Sequence, residues 1–381
     1  MKQKTVVELF AGIGGFRLAC EELGLNTVWA NDIDETAASV YCDNFGKKSF
    51  LLGNIQQLKT SIPKHDILTA GFPCQPFSKA GYKKGIEDYR GTLFEDIVDV
   101  LKNRQPEFFI LENVSSILYL NNGKHYQTII NALTELDYKV EWKTINAVDF
   151  GLPQNRERII MIGSLSKDTV SSYMVSAFEE SSFSDIDKER INNYFLWSDV
   201  NNVKRKFSNW GMAYKGKYCS FTINTTRSTL QRLTDVLQND VDSSYDFTLD
   251  TIKRIEKSKY VGKYVNGVQI LYNQAGGARM GYTIFGINGI APTLTATSSR
   301  HYERYQVDDK YRRLTNIEYA RLQGFPDNHC RAVTPYKQYK LYGNALPPQL
   351  AKWSLELVTN GVPRMIEKPL SLYDLLEVNY G

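Results

Sequence analysis

One cysteine of this chain sits between two prolines, in Ala70-Gly71-Phe72-Pro73-Cys74-Gln75-Pro76-Phe77-Ser78. Residues 67–70 read as a short apolar strand and Gly71 ends it. Each proline fixes φ and removes an amide donor, so neither strand nor helix runs through Cys74. Such a loop aims a thiol outward, whereas Cys20, Cys42, Cys219 and Cys330 lie in ordinary segments and read as small core residues. A free thiol has a pKa of about 8.5, so a nucleophilic role requires a cation, a helix start or a proton acceptor beside it. Two segments offer such groups. The apolar run 108–111 ends in Glu112-Asn113-Val114, which puts a carboxyl at the C-terminal edge of a strand, where open α/β sheets bind ligands. Gln154-Asn155-Arg156-Glu157-Arg158 precedes a strand at 159–163, and its alternating arginines place two guanidiniums on one side of an extended segment. Without a reaction to serve, Glu112 would be a strand-end ion pair with Arg156 or Arg158.

Strand and helix patterns alternate from residue 5 to 163, with helices near 93–104 and 124–137, and predict an α/β fold with a doubly wound, mostly parallel sheet. The alternation opens with Val6-Val7-Glu8-Leu9-Phe10-Ala11-Gly12-Ile13-Gly14-Gly15-Phe16: a strand, a glycine-rich turn and an amphipathic helix ending near Gly24. Such a turn allows close ligand approach, although it serves many folds. The next strand, 27–30, ends in Asn31-Asp32-Ile33-Asp34, with carboxylates suited to ribose hydroxyls; Asp34 reads instead as the cap of a helix at 35–44. The serine-rich, acidic stretch 164–187 breaks the alternation and predicts a crossing into a β-rich second lobe that ends near Tyr311, after glycine-rich 274–289. A last helix is expected over 347–360.

The 381 residues carry a net charge of +4 and suffice for two lobes, and no apolar run is long enough to span a membrane. No signal peptide is visible, and five cysteines without paired spacing fit a reduced, cytoplasmic setting. Four scattered histidines, at 65, 125, 301 and 329, give no reason to expect a metal. Residues 200–234 contain no acid. They carry Lys204, Arg205, Lys206, Lys215, Lys217, Arg227 and Arg232 among Phe207, Trp210, Tyr214, Tyr218 and Phe221, a pattern expected of a surface meeting phosphates and bases. A solvated basic face is the plainer alternative.

In their order, these segments resemble the C5-cytosine DNA methyltransferase family of bacterial restriction-modification systems. The resemblance is carried by the glycine-rich start at 10–15, Pro73-Cys74-Gln75, Glu112-Asn113-Val114 and the run 154–158. It continues in Arg312-Arg313-Leu314-Thr315, Glu318, Arg321-Leu322-Gln323-Gly324-Phe325-Pro326 and Tyr342-Gly343-Asn344-Ala345. It covers most of 6–163 and 311–350 and leaves the middle without a signature. The resemblance implies a doubly wound, Rossmann-like S-adenosylmethionine-dependent methyltransferase sheet with a smaller β-rich inserted lobe. The catalytic and cofactor-binding domain would span 1–181, the target-recognition domain 182–318, and the return to the catalytic domain 319–381.

The activity implied is that of a DNA (cytosine-5-)-methyltransferase, acting on a cytosine flipped out of a specific double-stranded DNA sequence, with S-adenosylhomocysteine as product and no metal. By motif position, Cys74 adds to C6, a protonated Glu112 serves N3, Arg158 reaches O2, and Arg156 supports the loop and a phosphate. The cofactor would be held by Phe10, Ala11, Gly12, Gly14, Gly15, Asp32, Ile33, Asn54, Ile55, Pro73, Leu93 and Asn344. Gln75, Ser78, Asn113, Gln154, Arg227 and Thr293, the last within Thr293-Leu294-Thr295-Ala296, would contact the substrate. Residues 78–90 would close over the base, with Gly81 and Gly85 permitting movement and Lys79, Lys83 and Lys84 meeting phosphates. A cytoplasmic monomer is expected, with a separate cognate endonuclease as a possible partner.

Two positions depart from the family pattern, in which an aspartate is usual at both Glu8 and Asn54. An asparagine oxygen still accepts from an adenine amino group, without charge assistance. Three other readings compete: a transfer-RNA cytosine methyltransferase, which shares the Pro-Cys-Gln loop; a catalytically silent DNA-binding repressor; and a dinucleotide-dependent oxidoreductase, suggested by the glycine-rich turn alone.

Overall fold

The computed structural model describes residues 3–72, 93–165, 184–203, 206–223, 231–273, 283–296 and 303–359. Pro73, Cys74, Gln75, Ser78, the expected closing loop, Lys204, Arg205 and Arg227 lie outside the described residues.

The apolar runs become strands buried on both faces, as parallel sheets require. These are β1 (Thr5–Leu9), β4 (Ile67–Gly71) and β5 (Phe108–Val114), flanked by β2 (Asn26–Asp32) and β3 (Phe50–Leu52) in the parallel order β3-β2-β1-β4-β5. Side chains alternate between two cores. Val7, Leu9, Leu68, Ala70, Phe109 and Leu111 enter the one covered by α4 (Leu93–Arg104) and α5 (Lys124–Thr134). Val6, Ile67, Phe108 and Ile110 enter the other, with Phe16 of α1 (Gly15–Glu22) and Leu350 and Leu355 of α10 (Pro348–Thr359). Helix α2 (Glu35–Phe45) follows β2, and its cap is Asp34, whose Oδ1 accepts from the amides of Thr36 and Ala37.

Beyond β5 the sheet turns antiparallel. β7 (Glu157–Ser164) pairs with both β5 and β6 (Lys139–Asn146), and the ladder continues through β9 (Trp210–Tyr214), β10 (Lys217–Phe221) and the short β8 (Ser198–Asp199). The ten-stranded sheet is parallel over β3-β2-β1-β4-β5, antiparallel beyond, and runs on to residue 221. Much of the basic, aromatic stretch therefore belongs to this sheet. Phe207, Trp210 and Phe221 are buried in its cores, and Phe207 packs edge-on against Tyr126 and Trp142 with ring centroids 4.9 and 5.7 Å away. Three of the five aromatics in that stretch are thus core and Tyr214 and Tyr218 are half-buried against it, while Lys206 and Lys215 are exposed.

A second sheet is formed by β11 (Lys259–Val265), β12 (Val268–Asn273), β13 (Thr283–Phe285), β14 (Arg304–Val307) and β15 (Lys310–Arg312), neighbours in chain order and antiparallel except for β13–β14. Helix α7 (Leu249–Glu256) leads into it. It is tied to α8 (Asn316–Leu322) by a buried bidentate pair, Arg312 with Glu318, both bonds 2.8 Å, and Glu318 also accepts from the Thr315 amide. Val268, Phe285 and Tyr305 share a core with Leu322 of α8, Tyr339 and Tyr342 of α9 (Pro335–Asn344), and Ala37 and Val40 of α2. Among the described residues no helix is long and apolar enough to cross a membrane.

Candidate active site

The ends of β4, β5 and β7 converge on the root of the Cys74 loop. Gly71 lies opposite Glu112 in the β4–β5 ladder, and a Cβ added at Gly71 would come 3.1 Å from Glu112 Oε2. Glycine there lets the carboxyl lie across the strand end. The Asn113 amide donates to the Phe72 carbonyl at 2.9 Å, which anchors the residue immediately before Pro73. Because β7 runs opposite to β5, its first residues reach the same edge. Arg158 pairs with Val114, diagonal to Glu112 on one face, and its Nε lies 2.8 Å from Glu112 Oε1. Both side chains are nearly enclosed, 13% exposed for Glu112 and 11% for Arg158.

Burial raises the Glu112 carboxyl above its ordinary value, against the lowering pull of Arg158 and Arg156. A carboxyl in that balance can carry a proton when a ligand expels the remaining water, and the adjacent guanidinium offers further donors for a planar, oxygen-bearing ligand.

The cofactor candidates gather at the ends of β1 and β2. The Gly12 amide donates to Asp32 Oδ2 at 2.7 Å and the Asp34 amide to Oδ1 at 2.9 Å, so Asp32 folds the glycine-rich turn. Gly12 has φ +56° and, among the described residues, a Cβ there would meet nothing within 4 Å, which leaves space against the backbone. Beside Asp32, Ile33 is 67% exposed and Leu51 and Leu52 are also exposed, an apolar surface next to a carboxylate. Asn54 Oδ1 accepts from the Gln56 amide at 3.0 Å and caps α3 (Ile55–Leu58).

Residues 329–346 cross the same turn. The His329 ring bonds the Ile13 carbonyl at 2.7 Å, Lys340 Nζ lies 3.2 Å from Asp34 Oδ2, and exposed Asn344 ends α9. A Cβ at Gly15 would lie 2.2 Å from the Leu346 carbonyl oxygen, so α1 and the segment just before α10 touch backbone to backbone. Ala11, Gly15 and Ile55 are buried, and Phe10, at φ 54°, and Leu93 pack against the core.

Residues 4–357 match the family model described as C-5 cytosine-specific DNA methylase. The chain belongs to that family. It is 33% identical over 344 residues to the Type II methyltransferase M.HhaI of Haemophilus parahaemolyticus, covering 89% of each chain. It is also 33% identical over 349 residues to M1.ScrFI of Lactococcus lactis subsp. cremoris, covering 90% of this chain and 74% of that protein. The fold is shared with S. pombe Dnmt2 methyltransferase, at TM-score 0.62 and 19% identity over 94% of this chain and 99% of that one. It is shared with the Entamoeba histolytica methyltransferase EhMeth at TM-score 0.59 and 18% identity, with the same coverage. Membership makes the chain a DNA (cytosine-5-)-methyltransferase and removes the oxidoreductase reading.

Not every expected site residue faces this edge. Arg156 is fully buried, and its guanidinium donates to the carbonyls of Leu294, Gly343 and Ala345, so it braces these three segments of the protein. Gln154, also fully buried, is engaged by Leu294, Leu322 and Gln323, and Thr293 Oγ1 by the Asn155 carbonyl. Asn113 is likewise engaged within the protein, through the Phe72 carbonyl. Sequence reasoning assigned no role to Gln323, although it stands within the family motif, or to Tyr41, whose hydroxyl donates to Glu8 Oε2 at 3.1 Å.

Proposed function

We propose that the protein transfers a methyl group from S-adenosylmethionine to C5 of a cytosine flipped out of a specific double-stranded DNA word, as the modification enzyme of a restriction-modification system. The observation that carries this reading is the Glu112–Arg158 pair at the root of the Cys74 loop. S-adenosylmethionine, when bound, supplies an electrophilic methyl. The open backbone at Gly12, the Asp32 carboxylate and the apolar surface of Ile33 and Leu52 suit its amino-acid, ribose and adenine parts, with Asn54 and Asn344 beside them.

Cytosine C5 is a poor nucleophile until a thiolate adds to C6. Cys74 makes that bond, the ring electrons become available at C5, and the proton on Glu112 meets the charge at N3. Arg158 holds Glu112 through Nε while its fork serves O2. Once C5 is methylated, loss of the C5 proton as the C6–S bond breaks restores Cys74. Asn113 keeps the loop root aimed through the Phe72 carbonyl.

The second sheet is the natural place for DNA recognition. Its edge strand β11 is almost wholly exposed and carries Lys259, Tyr260, Lys263 and Tyr264. Lys257, Lys259, Tyr260, Val261 and Asn273 line a cavity of about 650 Å³ beside it. Cations and rings arranged so suit phosphates and sugars.

Bisulfite sequencing of DNA and transfer RNA from cells expressing the protein tests the reaction and reveals the word. Conversion-resistant cytosines at one DNA word, absent with Cys74→Ser, are expected. Protection confined to transfer RNA, or persisting in Cys74→Ser, overturns the reading.

A further inference from the structure

The turn between β6 and β7 holds two buried polar side chains that reach three distant segments. Arg156, 0% exposed, donates through Nη1 to the Leu294 carbonyl at 3.1 Å and through Nη2 to the carbonyls of Gly343 and Ala345, both at 2.9 Å. Gln154 accepts from the Leu294 amide at 3.0 Å and donates to the Leu322 carbonyl at 3.0 Å and to Gln323 Oε1 at 3.1 Å. Gln323 in turn donates to the Tyr342 carbonyl.

The same turn exchanges backbone bonds with Ala291, at 2.8 Å from the Asn155 amide and 2.7 Å to the Pro153 carbonyl. The contact is close elsewhere too, since a Cβ at Gly343 would lie 2.3 Å from the Thr295 carbonyl oxygen. Segment 291–295, which leaves β13, and segment 342–345, which ends α9, are thus seated on one hub. The carbonyls that Arg156 grips on the second segment belong to the two neighbours of Asn344.

A guanidinium is planar and its donors keep fixed directions, so the three carbonyls must move with it or lose bonds in a buried setting. We propose that Arg156 is a positioning residue that couples DNA engagement by the second sheet to the hold on the cofactor at Asn344. The inference rests on the reading of Asn344 as a cofactor residue. A displacement of Leu294 when a duplex seats on the second sheet is carried by the fork to Gly343 and Ala345. By linkage the cofactor then strengthens DNA binding by the same factor. A purely architectural clamp would lower stability and both affinities without altering their ratio.

The test uses the full chain, S-adenosylhomocysteine as the probe, and the duplex word found by bisulfite sequencing. Calorimetry gives the probe's Kd with and without saturating duplex. The wild type should bind it at least about fivefold tighter with duplex, the lower end of ordinary allosteric couplings. In Arg156→Lys, whose single ammonium cannot span all three carbonyls, the ratio should fall close to one while the Kd without duplex changes less. Gln323→Met, which leaves the Arg156 fork intact and cuts the Gln154–Gln323–Tyr342 route, should reduce the ratio in part and carries the test if Arg156→Lys does not fold. A wild-type ratio of one with both ligands bound and the duplex methylated overturns the coupling and leaves the proposed reaction standing. An unchanged ratio in both variants overturns it too, and failure of the wild type to bind the probe overturns the cofactor reading with it.

Discussion

Glu8 offers a test whose size follows from the structure. It lies on β1, two residues before Phe10, and is 2% exposed. Tyr41 of α2 donates to it, Arg17 and Cys20 of α1 and Asp32 of β2 lie in its electrostatic surroundings, and Arg17 is itself bonded to Glu21 at 3.0 Å. Burial pushes the Glu8 carboxyl up from 4.5 to about 8. The folded protein therefore holds a proton that the unfolded chain has released between those values. Stability from this group is fully present below pH 4.5 and is lost as pH rises to about 8, at about 1.4 kcal/mol per pH unit.

Between pH 5.5 and 7.5 that slope amounts to roughly 3 kcal/mol. Glu8→Gln cannot titrate and should lack that loss. The proper measurement is urea unfolding of both proteins at both pH values, because the hydrogen-bonding cost of the new amide is the same at each pH and cancels in the double difference. A double difference of about 2–3 kcal/mol is expected from the shift. A value below about 0.5 kcal/mol, near the usual error of such comparisons, would refute a neutral buried Glu8.

Arg158→Met should raise the Glu112 carboxyl further and reduce methyl transfer by about 100-fold or more, as measured with tritiated cofactor at saturating DNA; a loss under tenfold would separate Arg158 from the chemistry. Asn54→Asp should keep both the cap of α3 and cofactor affinity in calorimetry, whereas Asn54→Ala should cost about 1 kcal/mol in stability; a large affinity loss in Asn54→Asp would mean that Asn54 donates to the cofactor. Replacing Lys259 and Lys263 together by Gln should flatten the slope of log affinity against log salt by about 1.8 for cognate and scrambled duplexes alike, and an unchanged slope would remove β11 from the DNA surface.

The strands β1, β2, β4, β5 and β7, the glycine-rich turn and the Asp34 cap are all legible in the sequence, because each is specified by residues within one element's length. The order of motifs along the chain likewise sufficed for the family. The strand positions offered Glu112 either Arg156 or Arg158 as a partner, and only the ladder register decides for Arg158, at 2.8 Å. The destinations of Arg156, Gln154 and Asn113 were not legible. A donor's partner is whichever carbonyl the fold carries to it, and for Arg156 that carbonyl is 187 positions away. The stretch 200–221 shows the same limit from the side of packing. Lysines alternating with aromatics describe a nucleic-acid surface and equally a sheet strand with a buried face. Only the antiparallel pairing of β9 with β6, and the packing of Phe207 just before it against Trp142, show which face of this stretch is buried.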